Sequence, residues 1–398
     1  MSHNVTYAHA GYSQCCRPFS VSLPQEVKLP EGPELWTAWR AYDPRSEPAE
    51  IFEAALYSDA DLVDPLMDPL RPVDLMPALP PVRHGLKFAA VARIRGGMPA
   101  DVALSKSDTA SYHGGGIVEE IASLISLALG VRCRSGGITR TWPRGLTDPY
   151  GTPIEFHHRR PYLAEQAEPR PLLPNLPQSG NLADCAALLD SFAAAEGRQA
   201  TALVRAARLF EHALWVAEDD PNFSWLELVS SLEVVALEST ADQPPAERLA
   251  IAKPELWATL LTAGKDHAVS VAEELADQVK STARFRTFME RYHPDPPARR
   301  PSVGGQVDWT KMKKHLGLIY NYRSKALHSG VPFPQPMCAA PIAEPGGCAM
   351  EVPLGLSASA GSTVWMAKEL PMHLHVFAYI ARSALLNWWH SITATPGM

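Results

Sequence analysis

Residues Leu316–Pro334, "LGLIYNYRSKALHSGVPFP", decide how the fold is read. From Met312 onward, Met312, Leu316, Ile319, Arg323, Ala326 and Gly330 recur at alternating four- and three-residue spacing, the period of one helix face. Asp308 suits the N-cap of that helix, and Gly330 followed by Pro332 suits its end. Arg323 therefore interrupts an apolar seam. A guanidinium seldom leaves water without a partner, so this position calls for a carboxylate on a neighbouring helix, such as Glu233, or for a functional use of the charge.

Outward from this stretch, residues 181–398 have a helical texture. "NLADCAALLDSFAAAEG", "RQATALVRAARLFEHALWVAEDD" and "PNFSWLELVSSLEVVALES" repeat apolar residues at helical spacing, with Leu226, Val229, Leu232, Val234 and Val235 on related faces of the last. "KPELWATLLTAGKDHAVSVAEELADQVKSTARFRTFMERYH" and a closing "MHLHVFAYIARSALLNWWHSI" continue the pattern, which is that of an all-α bundle. Residues 1–180 read differently. Pro and Gly clusters such as "PLMDPLRPVDLMPALPPVRHG" alternate with short apolar runs such as "LKFAAVARIRGG", an irregular α+β domain with one clear helix, Ile117–Leu129, stopped by Gly130. The Pro-rich "EQAEPRPLLPNLPQSGN" suggests a linker with a boundary near Gly180.

The 398 residues, 46% hydrophobic and 20% charged, describe an ordinary globular chain long enough for two domains. A net charge of -7 argues against a surface that binds nucleic acid everywhere and confines any RNA contact to a focused patch. Six cysteines without a C-x-x-C pair indicate neither a zinc knuckle nor a disulfide framework. With no export signal and no run of eighteen apolar residues, the expected location is the cytoplasm.

Arg323, four residues and His328, near the end of a bundle helix in "YNYRSKALHSG", resemble the signature of HEPN domains, and the tyrosines, "RSK" and "HSG" look most like the Apea-like branch. "LFEHALWVAEDDPNFSWLELVSSLEVVALE" is similar to that family's first two helices and "ARSALLNWWHSI" to its closing one, so the resemblance covers roughly residues 200–392. It implies a metal-independent endoribonuclease acting on single-stranded RNA, needing no cofactor, with the motifs of two protomers facing each other across a homodimer. It also implies a toxin or antiviral-defence role, which would call for an antitoxin or another defence-system partner, with the N-terminal half as a sensor. One departure is Ser324, where many ribonuclease members carry Asn, Asp or His after the arginine.

Elementary chemistry agrees in outline. Cleavage through the 2′-hydroxyl needs a base, an acid for the leaving 5′-oxygen and a cation for the phosphorane, roles that suit His328 and Arg323. Residues five apart on a straight helix point about 140° from each other, so the two share a phosphate only if the helix frays near Gly330 or a second chain contributes. Ser324 is four residues from His328 and could orient its imidazole. Tyr320, Tyr322 and Lys325 are the candidate RNA contacts, the tyrosines by stacking, with a core role as the alternative for Tyr320. The competing reading is a catalytically inactive helical module that binds a partner protein or a nucleotide, in which Arg323 is a buried ion-pair partner and His328 a C-capping residue.

Three further motifs have plainer readings. "HGGG" ahead of the Ile117 helix lacks the Lys and Ser of a P-loop and suits a flexible loop, although its N–H groups could meet a phosphate. "EFHHRRP", residues Glu155–Pro161, is either a basic RNA contact or a solvated loop. His373 and His375 diverge on a helix and make poor joint metal ligands.

Overall fold

The computed structural model describes residues 31–46, 50–68, 70–78, 85–96, 109–143, 149–154, 160–163, 170–241, 243–275 and 281–394. Its first region runs α1 (Glu34–Ala41), β1 (Glu50–Ser58), β2 (Asp61–Val63), β3 (Val73–Pro77), β4 (Lys87–Arg95), α2 (Ile117–Leu129), β5 (Arg134–Pro143), β6 (Thr152–Pro153) and β7 (Ser179–Asn181). The second runs α3 (Ala186–Phe192), α4 (Gly197–Val216), α5 (Pro221–Ser239), α6 (Pro245–Ala252), α7 (Pro254–Ala263), α8 (Lys265–Glu274), α9 (Ser281–Tyr292), α10 (Met312–Ser329), a β8–β9 hairpin (Ser357–Ala360, Thr363–Met366) and α11 (Leu374–Thr393). A sheet-rich N-terminal region is thus followed by a helical C-terminal one.

The five-stranded sheet has the order β3-β4-β1-β5-β6 and is antiparallel throughout. Its middle strand, β1, pairs Phe52 with Ile94 and Leu56 with Ala90 on β4, and Ala54 with Ile138 on β5. Helix α2 is buried on nearly every side, as expected of a helix held between the sheet and a second helical layer, here β5 and α4.

Two carboxylates start the helices reciprocally. Glu120 of α2 accepts the N–H groups of Glu34 and Leu35 at 3.0 and 2.6 Å, while Glu34 of α1 accepts that of Ile117 at 2.9 Å. Each satisfies donors the helix itself leaves open, where the dipole favours negative charge. At the other end of α2, Gly130 adopts φ 71°, the left-handed cap anticipated from sequence, and Arg382 of α11 donates to the carbonyls of Leu127 (2.8 Å) and Ala128.

That last bond crosses between the two regions, and it is one of many. A single apolar cluster runs from Leu35 through Leu124, Phe210 and Trp225 to Trp389. Arg132, just after α2, donates to Leu214 O at 2.7 Å and bridges Asp59 at 2.7 Å. The expected contact-poor linker is corrected in its described part, since residues 165–169 lie outside it. Leu172 and Leu173 are buried, the Leu172 N–H donates to Glu218, and β7, which contains the expected boundary at Gly180, pairs in parallel with β2. The described part of this segment turns along the seam, with the Leu176 N–H donating to Leu173 O. Of "EFHHRRP", residues 155–159 lie outside the described residues, and Arg160 donates to Leu86 O.

Candidate functional site

Helices α5 and α10 build the motif region. Asp220 caps α5 by accepting the Phe223 N–H at 2.9 Å, with Pro221 in the first turn. Trp225 then stacks between Phe333 and Phe377, at centroid distances of 5.2 and 5.0 Å, and the Phe333 N–H donates to Asn222 at 3.0 Å. The segment after α10 is thereby pinned to the start of α5, and the two helices run antiparallel. Asp308 begins the approach as expected, accepting the Thr310 N–H in a one-turn 3₁₀ helix that leads into α10. Gly330 ends α10 at φ 65°.

Met312, Leu316, Ile319 and Tyr320 are buried, so the seam read from the sequence faces the bundle. At its next position, Arg323 bridges Glu233 of α5, the carboxylate anticipated for it. Tyr320, one turn earlier on the same face, donates its hydroxyl to the other Glu233 oxygen at 2.7 Å, with its ring 5.0 Å from Phe285 and under the Arg323 guanidinium. The side chains of Arg323 and Glu233 are 18% and 15% exposed. Burial pushes the Glu233 carboxyl above its ordinary range, against the opposing pull of the Tyr320 hydrogen bond and the Arg323 charge.

Tyr320 is therefore a core residue and not the candidate base-stacking surface, because its ring is sealed by Phe285 and its hydroxyl is spent on Glu233. Tyr322 is half-buried and donates to Glu369 O at 2.7 Å, which ties α10 to the turn after β9. Lys325 and His328 are exposed and Ser324 is half-buried. The helix stays regular through Ser329, so the fraying that would turn His328 toward Arg323 does not occur, and the two diverge by about 140° within one chain. No hydrogen bond joins Ser324 to His328 among the described residues.

The other sequence motifs resolve structurally. In "HGGG", His113 Nε2 lies 2.6 Å from the buried Glu120 carboxylate, and Gly116 N–H donates to Glu119 at 3.0 Å. A phosphate at this helix start would meet Glu34 and Glu119 rather than open N–H groups. A Cβ at Gly115 would displace the end of the Arg208 side chain. His373 and His375 are both buried, and burial holds their pKa values down near 4 and 3.

Two cavities went unread in the sequence. A cleft of about 770 Å³ between the start of α2 and α4 sets Arg134, Arg205 and Arg208 against Glu119, Glu211 and Glu227, a balanced wall. A tighter cavity of about 310 Å³ lies between α11 and the segments around Gly130 and Leu176. Neither is lined by Arg323 or His328. No family model matches the chain, and neither does any curated protein or solved structure.

Proposed function

We propose that the chain is a HEPN-like endoribonuclease of the Apea-like kind, cutting single-stranded RNA without a metal ion at a site that two copies complete, in a toxin or antiviral-defence role. The observation that carries this reading is Leu327, which is 51% exposed on α10. By helical angle it lies about 40° from Arg323 and about 100° from His328, within the arc that separates them. A second copy seated on Leu327 about a twofold axis would cover that apolar side chain on both chains. It would also bring His328 of one copy toward Arg323 of the other.

In such a site, one His328 takes the proton from the 2′-hydroxyl as its oxygen attacks phosphorus. Arg323 stabilises the charge on the phosphorane, and the 5′-oxygen leaves with a proton from an imidazolium, giving a 2′,3′-cyclic phosphate and a 5′-hydroxyl. The Glu233 clasp holds the guanidinium in one orientation while the fork keeps N–H groups beyond the one given to the carboxylate.

The same clasp favours a second reading, a catalytically silent module that binds a partner protein or nucleotide, because Glu233 already matches the Arg323 charge. End analysis of RNA incubated with purified protein in EDTA separates the two. The ribonuclease reading expects cyclic-phosphate ends from the parent protein, with loss of cutting in His328→Ala and Arg323→Ala. A parent that leaves RNA intact with and without added metal, or an unchanged cutting pattern in both variants, would favour the silent module.

A further inference from the structure

The tighter cavity has the construction of a ligand site. One wall is a stripe of α11, in which His375, Tyr379 and Arg382 lie four and then three residues apart and so share a helix face. The facing wall comes from the N-terminal side, with Gly130, Leu173 and Leu176. Its volume of about 310 Å³ lies at the lower end of small-molecule pockets, and mixed apolar walls with a few converging polar groups are what such pockets present.

The polar groups are not balanced against one another. Arg382 has no carboxylate partner among the described residues; its bonds go to Leu127 O and Ala128 O, which use two of its five N–H groups. The one carboxylate on the wall, Glu351, is already held by Nε and one Nη of Arg300, at 2.8 and 2.5 Å, and by the Val307 N–H at 2.7 Å. His375, buried, lies on the same wall. A half-buried cation lacking a counter-ion calls for something the chain does not supply.

We infer that this cavity binds a small organic monoanion, a carboxylate on an apolar body, with the carboxylate toward Arg382 and the body against Phe210, Leu214 and Leu173. The inference is independent of RNA cleavage. Because the walls come from both regions of the chain, an occupant would brace α11 against the end of α2.

Isothermal titration calorimetry of the full chain with benzoate, 3-phenylpropionate, 2-naphthoate and octanoate, each beside its neutral alcohol, tests it. At least one carboxylate should bind one-to-one, with its alcohol tenfold or more weaker. Ala378→Phe, which fills the cavity from α11, and Leu176→Trp, which fills it from the opposite wall, should each abolish binding, so that a folding failure of one leaves the other. Arg382→Gln keeps donors for the α2 carbonyls and should weaken the carboxylate at least tenfold. Absence of binding by all four acids, equal binding of acid and alcohol, or binding that survives the filled cavity would overturn the proposal.

Discussion

Replacing Arg323 by Met strips the Glu233 carboxylate of its cation while leaving the Tyr320 hydrogen bond in place. Losing one member of a fully buried pair costs about 3–5 kcal/mol, and an exposed pair contributes about 0–1 kcal/mol. Side chains 18% and 15% exposed fall between these limits, so the expected loss is about 2 kcal/mol at pH 7.5. The loss should also depend on pH. Burial raises the Glu233 pKa above its ordinary 4.5, and the variant removes a charge that opposes that rise. A carboxyl raised in the folded state keeps its stability below the ordinary value and loses it as pH rises through the folded value. At pH 4.5 more of the stranded carboxyl is therefore protonated in the folded than in the unfolded chain, and the deficit should be smaller than at pH 7.5. Glu233→Gln in the same chain keeps a partner for Tyr320 and should recover about 1–2 kcal/mol of that loss, and the coupling energy of the pair follows once the cost of Glu233→Gln alone is added. Urea unfolding of the parent, the two single variants and the double variant at both pH values measures all of this. A deficit below about 0.5 kcal/mol at pH 7.5, or an equal deficit at both pH values, would refute the clasp as a buried ion pair.

Leu327→Asp should leave the fold intact, since the residue is exposed, yet give a monomer by light scattering at micromolar concentration and abolish RNA cutting. His375 is buried neutral with its pKa held down to about 3, so parent stability should fall as the pH drops from the ordinary 6.5 toward that value, and His375→Asn should flatten the slope over that range in acid titrations followed by circular dichroism. Gly130→Ala places a Cβ at φ 71° and against the Arg382 side chain, and should lower stability by about 1–2 kcal/mol or more in urea unfolding.

What could be read in advance was local. The course of α10, from the Asp308 cap to the stop at Gly330, and the end of α2 at Gly130 follow from residue types whose preferences act within one turn. Glu233 could be named as the Arg323 partner because a buried guanidinium demands a carboxylate and the neighbouring helix offers one on a suitable face. The β2–β7 pairing was not legible, because it joins residues more than a hundred positions apart, and the β1–β5 pairing, across some eighty to ninety positions, left no local signal in either strand. For the same reason the Pro-rich segment looked like a free linker: its prolines are visible in sequence, whereas the Glu218 carboxylate that receives Leu172 is not adjacent to them. The α11 stripe was seen only as a divergent His373–His375 pair, since Arg382 gains its meaning from carbonyls at the far end of α2.

The claim that two copies share one site is tested most directly by mixing two dead variants. Arg323→Ala and His328→Ala should each fail to cut RNA alone. In a mixed dimer one composite site loses both groups, while the other keeps the arginine of one chain and the histidine of the other. With free exchange, half of the dimers are mixed and each carries one of two sites, so RNA cutting in the mixture should return to about a quarter of the parental rate. A mixture as inactive as either variant alone, in the presence of an active parent and verified subunit exchange, would contradict the shared site.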